Sequence, residues 1–193
     1  MLEFIKNQKI KFSFFLVFVF LFSCDQNNKP KPKGFQRYTL PTPQHETITF
    51  SDYYLFEKNK IAKPELNKDL GWLNLSYKKE GAEILITFKQ INTPQDLFLY
   101  IKESYKLISK HKAKANSILE TNIKTIDGKH AVLIDIKGEV ASPFQFITTD
   151  SSKNFLRAAL YFEKPIKGDS LSPIVDYLKK DMLHALNTLQ WNE

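Results

Sequence analysis

The chain is 193 residues long, carries a formal net charge of +7 and contains one cysteine, Cys24. A single thiol excludes an intramolecular disulfide framework. The one long apolar run, residues 12–22, is about half the roughly 20 residues that a membrane-crossing helix needs, so a bundle of transmembrane helices is excluded too.

The N-terminal residues have the layout of an export signal. Lys6, Lys9 and Lys11 supply positive charge, residues 12–22 the apolar core, and Leu21-Phe22-Ser23-Cys24 the junction. Leu21 and Ser23 stand where a bacterial lipobox places them, and Phe22 is bulkier than the usual choice. A plain secreted protein with an incidental thiol and an uncleaved signal anchor are the alternatives. The only cysteine falls at the cleavage junction, which points to lipidation of Cys24 and to residues 1–23 as the signal peptide. Each buried lipid methylene contributes about 0.8 kcal/mol, so several acyl chains anchor a protein to a membrane without crossing it. Loss of three Lys and one Glu with the signal leaves about 170 residues at a net charge near +5, enough for one core. Nucleic acid is not an expected partner for an exported chain. A basic face suits anionic headgroups or an acidic partner.

Residues 24–34 form the lipidated cysteine and a tether. Alternating Lys and Pro favour an extended rod that spans about 20–30 Å at roughly 3.1 Å per residue. Residues 35–193 read as a single domain. Strands are expected at 35–40, 47–50 and 53–57, and a hairpin at 72–77 and 83–90 around Lys79-Glu80-Gly81. Thr93 offers an N-cap, Pro94 suits the first helical position and Asp96 complements the helix N-terminus. That helix is expected to run to Lys112, with Leu97, Phe98, Ile101, Tyr105 and Ile108 as its inward stripe. Residues 118–126 and 130–137 bracket Asp127-Gly128, a favoured hairpin turn, and residues 144–149 and 155–163 bracket another polar turn. Ser172-Pro173 opens a second helix to Leu189, with Ile174, Leu178, Met182, Ala185 and Leu189 inward. Strands joined by tight turns are antiparallel neighbours. The expected class is therefore α+β: a mainly antiparallel sheet of about seven strands packed by two main helices.

The four histidines, His45, His111, His130 and His184, form no metal-ligand motif, so no metal and no cofactor is expected. Asp181 stands three residues before His184 and predicts a local surface pair. Nucleophile elbows, phosphate loops and dinucleotide fingerprints do not occur, and no enzymatic activity is expected.

Two features are sharper. Arg157 is one of only two arginines among 28 basic residues, and alternation puts it on a largely apolar strand face with Phe155, Ala159 and Tyr161. Asp135 shares a face with Ala131 and Leu133. The expectation is that Arg157 and Asp135 pair across the sheet, as a structural bridge or a ligand anchor. Lys110, His111, Lys112 and Lys114 form a basic segment at the end of the first helix, suited to an acidic partner or headgroups. Complementing the helix C-terminus is the simpler role. Tyr53, Tyr54 and Trp72 are candidates for an exposed aromatic patch, with core packing the expected fate of Trp72.

Several stretches together resemble the GldD family of gliding-motility lipoproteins from Bacteroidetes. They are Lys29-Pro-Lys-Pro-Lys-Gly-Phe-Gln-Arg-Tyr-Thr-Leu-Pro41 and residues 110–118, 140–152, 154–162 and 169–177. The resemblance implies a membrane-anchored cell-envelope lipoprotein required for gliding and for the linked type IX secretion machinery. It implies an assembly or stabilising factor with other envelope motility and secretion proteins as partners. The family's lipid site falls on Cys24, and the outer membrane is favoured over the inner. No catalytic residues carry over. The element order also looks like the PsbP-like α/β/α sandwich, an analogy of fold that transfers no function.

Overall fold

The computed structural model describes residues 38–50, 52–67, 71–165 and 171–192. The export signal, Cys24 and the Lys-Pro tether lie outside the described residues. Residues 38–44 carry no regular structure, so the strand expected at 35–40 does not form over its described part. Tyr38 and Leu40 nevertheless pack against the core.

Among the described residues, ten strands and two helices follow. The strands are β1 (His45–Phe50), β2 (Tyr54–Asn59), β3 (Lys63–Asn67), β4 (Trp72–Tyr77) and β5 (Ala82–Gln90), then β6 (Ala115–Lys124), β7 (His130–Gly138), β8 (Phe144–Thr149), β9 (Asn154–Phe162) and β10 (Gln190–Trp191). Helix α1 is Pro94–Ser109 and α2 is Ser172–Thr188. The class is α+β. One antiparallel sheet has seven strands in the order β3-β4-β5-β9-β8-β7-β6, and a smaller one has the order β1-β2-β10. Helix α1 carries the chain from β5, inside the large sheet, to β6 at its far edge. The β6–β9 meander then walks back until β9 pairs with β5, with Arg157 opposite Thr87.

Alternation within the strands builds two cores, one on each face of the large sheet. On one face Leu73, Leu75, Ile84, Ile86, Leu156, Ala158 and Leu160 pack against Ile174, Leu178 and Met182 of α2 and Tyr54 and Phe56 of β2. On the other, Ile134, Ile136, Ile147 and Phe155 pack under Ile108, Leu97 and Tyr100 of α1.

Helix α1 starts as its sequence dictates. The Thr93 hydroxyl accepts from the Asp96 amide, and the Asp96 carboxylate accepts the Thr93 amide at 2.8 Å. Those backbone donors hold the Asp96 carboxyl below its usual range. Its stripe is rotated from expectation. Leu97 and Ile108 turn inward, but Tyr100, Ser104 and Leu107 take the other inward places. Phe98 stays 58 % exposed, and Ile101 and Tyr105 lie open as well. Ser104 is tolerated because its hydroxyl donates to the Tyr100 carbonyl at 2.8 Å. Strand β3 has no apolar alternation and contains Pro64, which suits its place at a sheet edge.

The β8–β9 turn is organised by Asp150. Its carboxylate accepts the amides of Ser152, Lys153 and Asn154 at 2.8–2.9 Å and the Asn154 side-chain amide at 2.6 Å. Burial raises its pKa, but the backbone donors outweigh that and hold it below the ordinary value. A lowered carboxylate pKa contributes stability above about pH 4 that is lost as pH falls through the folded value. Because Asp150 is exposed, Asp150→Asn should cost only about 1–2 kcal/mol at pH 7. The difference from wild type should shrink as pH falls below about 4, as read from urea midpoints across that range.

Candidate functional site

Helix α1 covers only part of its sheet face. It lies over the β6–β9 side and leaves β4 and β5 open, so a groove of about 510 Å³ runs between the helix and those strands. Strand alternation decides what faces it. In β4, Leu73, Leu75 and Tyr77 point to the α2 core, which turns Trp72 and Asn74 into the groove. In β5 the same parity presents Leu85, Thr87 and Lys89, and in β9 Phe155, Arg157 and Tyr161. Tyr100, Glu103, Ser104 and Leu107 of α1 form the opposite wall.

Arg157 sits in the floor, only 8 % exposed. Its Nη2 donates to Gln145 Oε1 at 2.5 Å, and Gln145 Nε2 donates to Ser142 Oγ at 3.0 Å, with both supporting residues fully buried. Its Nε–H is buried and meets no acceptor. Burial lowers the guanidinium pKa, opposed first by Tyr161 and then by the Glu103 charge. Such a group stays protonated at neutral pH. At the rim, Lys89 Nζ lies 2.6 Å from Glu103 Oε2 and 4.7 Å above the Tyr100 ring. Trp72, 47 % exposed, forms the outer lip, so its expected core packing is not observed. Tyr54 is fully buried and Tyr53 stacks on Phe88 at 4.8 Å, so the three aromatics form no common patch.

The expected Arg157–Asp135 pair does not form. Pairing aligns Asp135 with Phe144 and Phe144 with Leu160, which puts Asp135 on the α2 face. Arg157 aligns with Ile147 and Thr87 on the α1 face. The two side chains point to opposite sides of the sheet. Asp135 instead bonds Lys179 of α2, whose ammonium lies 4.7 Å over the Phe144 ring.

The basic segment divides. Lys110, Lys112 and Lys114 are exposed, whereas His111 turns inward, its ring 6.2 Å from that of Tyr161. Burial, and then the Arg157 charge, lower the His111 pKa. The expected Asp181–His184 pair is also absent. Asp181 is buried and accepts from Asn59 Nδ2 at 2.8 Å and the Tyr77 hydroxyl at 3.2 Å, with His45 Nε2 at 3.4 Å. His184 Nε2 lies 2.7 Å from Glu57 and its ring stacks on that of His45 at 3.7 Å. This cluster fastens α2 to β1, β2 and β4. Among the described residues no group of three His, Cys, Asp or Glu is placed to hold a metal ion, and no helix is long and apolar enough to cross a membrane.

Sequence reading found Arg157, named Trp72 as a patch candidate but expected it in the core, and missed Lys89, Tyr100 and Gln145. The signal for Trp72 was present in Trp-Leu-Asn-Leu-Ser-Tyr, where it shares parity with Asn74 and Ser76 and not with the leucines.

The fold and groove together define an α+β domain with an open groove on the α1 side of its large sheet. The chain belongs to a family of gliding motility lipoproteins: the family model described as "Gliding motility lipoprotein GldD" matches residues 25–191. The resemblance read from the sequence thus holds across residues 25–191. Membership makes this a lipoprotein of gliding motility, a membrane-associated class. No curated protein matches the chain.

Proposed function

We propose that the protein is a non-enzymatic assembly or stabilising factor of the cell envelope. It is anchored through lipidated Cys24, at the outer rather than the inner membrane, and serves gliding and the linked type IX secretion machinery. The Lys-Pro tether holds the domain off the membrane so that other motility and secretion proteins reach it. The observation that carries this reading is the apolar flank of α1 on its β6 side. Phe98, Ile101 and Tyr105 recur at helical spacing and are all exposed, beside the also exposed Leu99. A stripe of that kind on a folded surface marks a contact site more often than a core error. Exposed Lys110, Lys112 and Lys114 at the end of the same helix add a salt-sensitive contribution.

The test is crosslinking and co-isolation from native membranes. Wild type should bring down motility and secretion components. Cys24→Ala and the double variant Phe98→Ser/Ile101→Ser should not, although the double variant should keep its unfolding free energy, read from urea melts, within about 1 kcal/mol because both side chains are exposed. Full motility and normal partners for the unanchored protein would overturn the reading. A second reading, an envelope lipoprotein that binds a ligand, is favoured by one observation: the groove built around Arg157.

A further inference from the structure

We propose that the groove between α1 and strands β4, β5 and β9 binds a small organic anion, a carboxylate or phosphate carried on a ring with a flat apolar face. Arg157 holds the anionic group and Trp72 the ring. This rests on the ligand-binding reading and names the chemistry of its ligand.

A buried charge is costly unless it is paired, and a purely structural arginine in a core meets a carboxylate. Here the neighbours are neutral: the amide of Gln145, held in turn by Ser142, and the side chain of Tyr161. Among the described residues no carboxylate lies within ion-pair distance of the guanidinium. Glu103, the one acid in the groove lining, is engaged by Lys89. The fold therefore fixes the orientation of Arg157 and leaves it only the more distant charge of Glu103, which Lys89 shares. Its Nε–H, buried and without an acceptor, belongs to a side chain that lines the groove. A fixed guanidinium with no carboxylate in direct contact is suited to an anion's oxygens.

The remaining lining describes the rest of the ligand. Trp72, Tyr100, Tyr161 and Phe155 supply flat apolar surface, and Asn74, Thr87 and Ser104 a few hydrogen-bonding groups. The volume of about 510 Å³ lies within the range of small-molecule sites and exceeds what a bare inorganic anion needs. Ser142 and Gln145 lie behind Arg157 and are positioning residues.

Tryptophan fluorescence of the full lipidated protein in detergent tests the proposal, with Trp72→Phe separating the groove signal from Trp191. Phenyl phosphate and benzoate are the probes. Inorganic phosphate, benzyl alcohol and sodium chloride at matched ionic strength are the comparison arms. Both organic anions should give a saturable change, about tenfold tighter than inorganic phosphate or benzyl alcohol, and Arg157→Gln should weaken them by about tenfold or more. Gln145→Glu should do the same while Arg157 remains, because it supplies the missing carboxylate. That variant carries the test if Arg157→Gln does not fold. Equal binding of benzyl alcohol, or unchanged phenyl phosphate binding in Gln145→Glu, overturns the anion assignment and leaves ligand binding standing. A response to no probe, or one reproduced by sodium chloride, overturns both.

Discussion

Asp181→Leu will lower the unfolding free energy by about 3–5 kcal/mol, among the largest losses expected of any polar substitution in this protein. Asp181 lies inside helix α2 with its side chain turned into the core, where leucine would satisfy the helical pattern. The cost arises in its partners. Asn59 Nδ2 and the Tyr77 hydroxyl both donate to it, and both residues are buried. Each buried donor left without an acceptor costs about 1–3 kcal/mol. The Tyr77 hydroxyl is held protonated by burial first and by the Asp181 charge second, so it remains a donor at every ordinary pH. Asn59 also donates to the Tyr177 hydroxyl at 2.9 Å, so the loss extends to the junction of β2, β4 and α2. Asp181→Asn should cost about half as much, since one amide oxygen still accepts. Exposed Asp176 on the same helix is the control: Asp176→Asn should change stability by less than about 0.5 kcal/mol. Urea midpoints at constant m value read all three. An Asp181→Leu protein as stable as wild type would show that the network contributes orientation and no net stability.

That network also marks where sequence reading stops. His45 and Asp181 are 136 residues apart, and a periodic pattern carries no information about such a pair. What the pattern does carry is parity within one strand. It placed Arg157 with Phe155 and Tyr161, and Asp135 with Ala131 and Leu133, and both groupings are observed. It did not say that the two groups lie on opposite faces, because that depends on the register linking β7, β8 and β9. In the observed register Asp135, Phe144 and Leu160 share one row, while Arg157 shares another with Ile147 and Thr87. A shift of one residue would have brought the pair to the same face. The stripe of α1 failed for a related reason. Both Leu97-Ile101-Tyr105-Ile108 and Leu97-Tyr100-Ser104-Ile108 are helical faces, and the apolar count favours the first. The sheet under α1 is covered by the second, because a serine that bonds its own backbone packs closely. The hairpins and both helix starts were legible because their signals are local: a two-residue turn, a capping threonine, a proline in the first turn. Strand β3 carries no such signal, since its five residues are all exposed and its partner supplies the order.

Gly138→Ala should cost about 3–5 kcal/mol, far more than the same change at Gly81. Both glycines hold a positive φ, +133° at Gly138 and +62° at Gly81, so both substitutions strain the backbone. At Gly81 an added Cβ meets nothing within 4 Å, and the cost is confined to the left-handed backbone, about 1–2 kcal/mol. At Gly138 the Cβ would stand 2.4 Å from the Lys114 carbonyl oxygen and 2.8 Å from the Asn116 amide nitrogen. Both are backbone atoms, so no side-chain rotation relieves the contact. Gly138 faces Ala115 at the irregular start of β6, where the register shifts between Ala115 and Ser117. Displacing that start strains the turn after α1, where the Lys114 and Ala115 amides donate to the His111 carbonyl at 3.0 and 2.9 Å. The same turn sets His111 beside Tyr161 and aims Lys110, Lys112 and Lys114 outward. Gly138→Ala should therefore loosen the end of α1 as well as lower stability. Amide hydrogen exchange should quicken at Ala115 and Ser117 in this variant and not in Gly81→Ala. Equal urea midpoints for the two variants would mean that β6 yields at its start without cost, and that the close approach of the two strands does not constrain the basic turn.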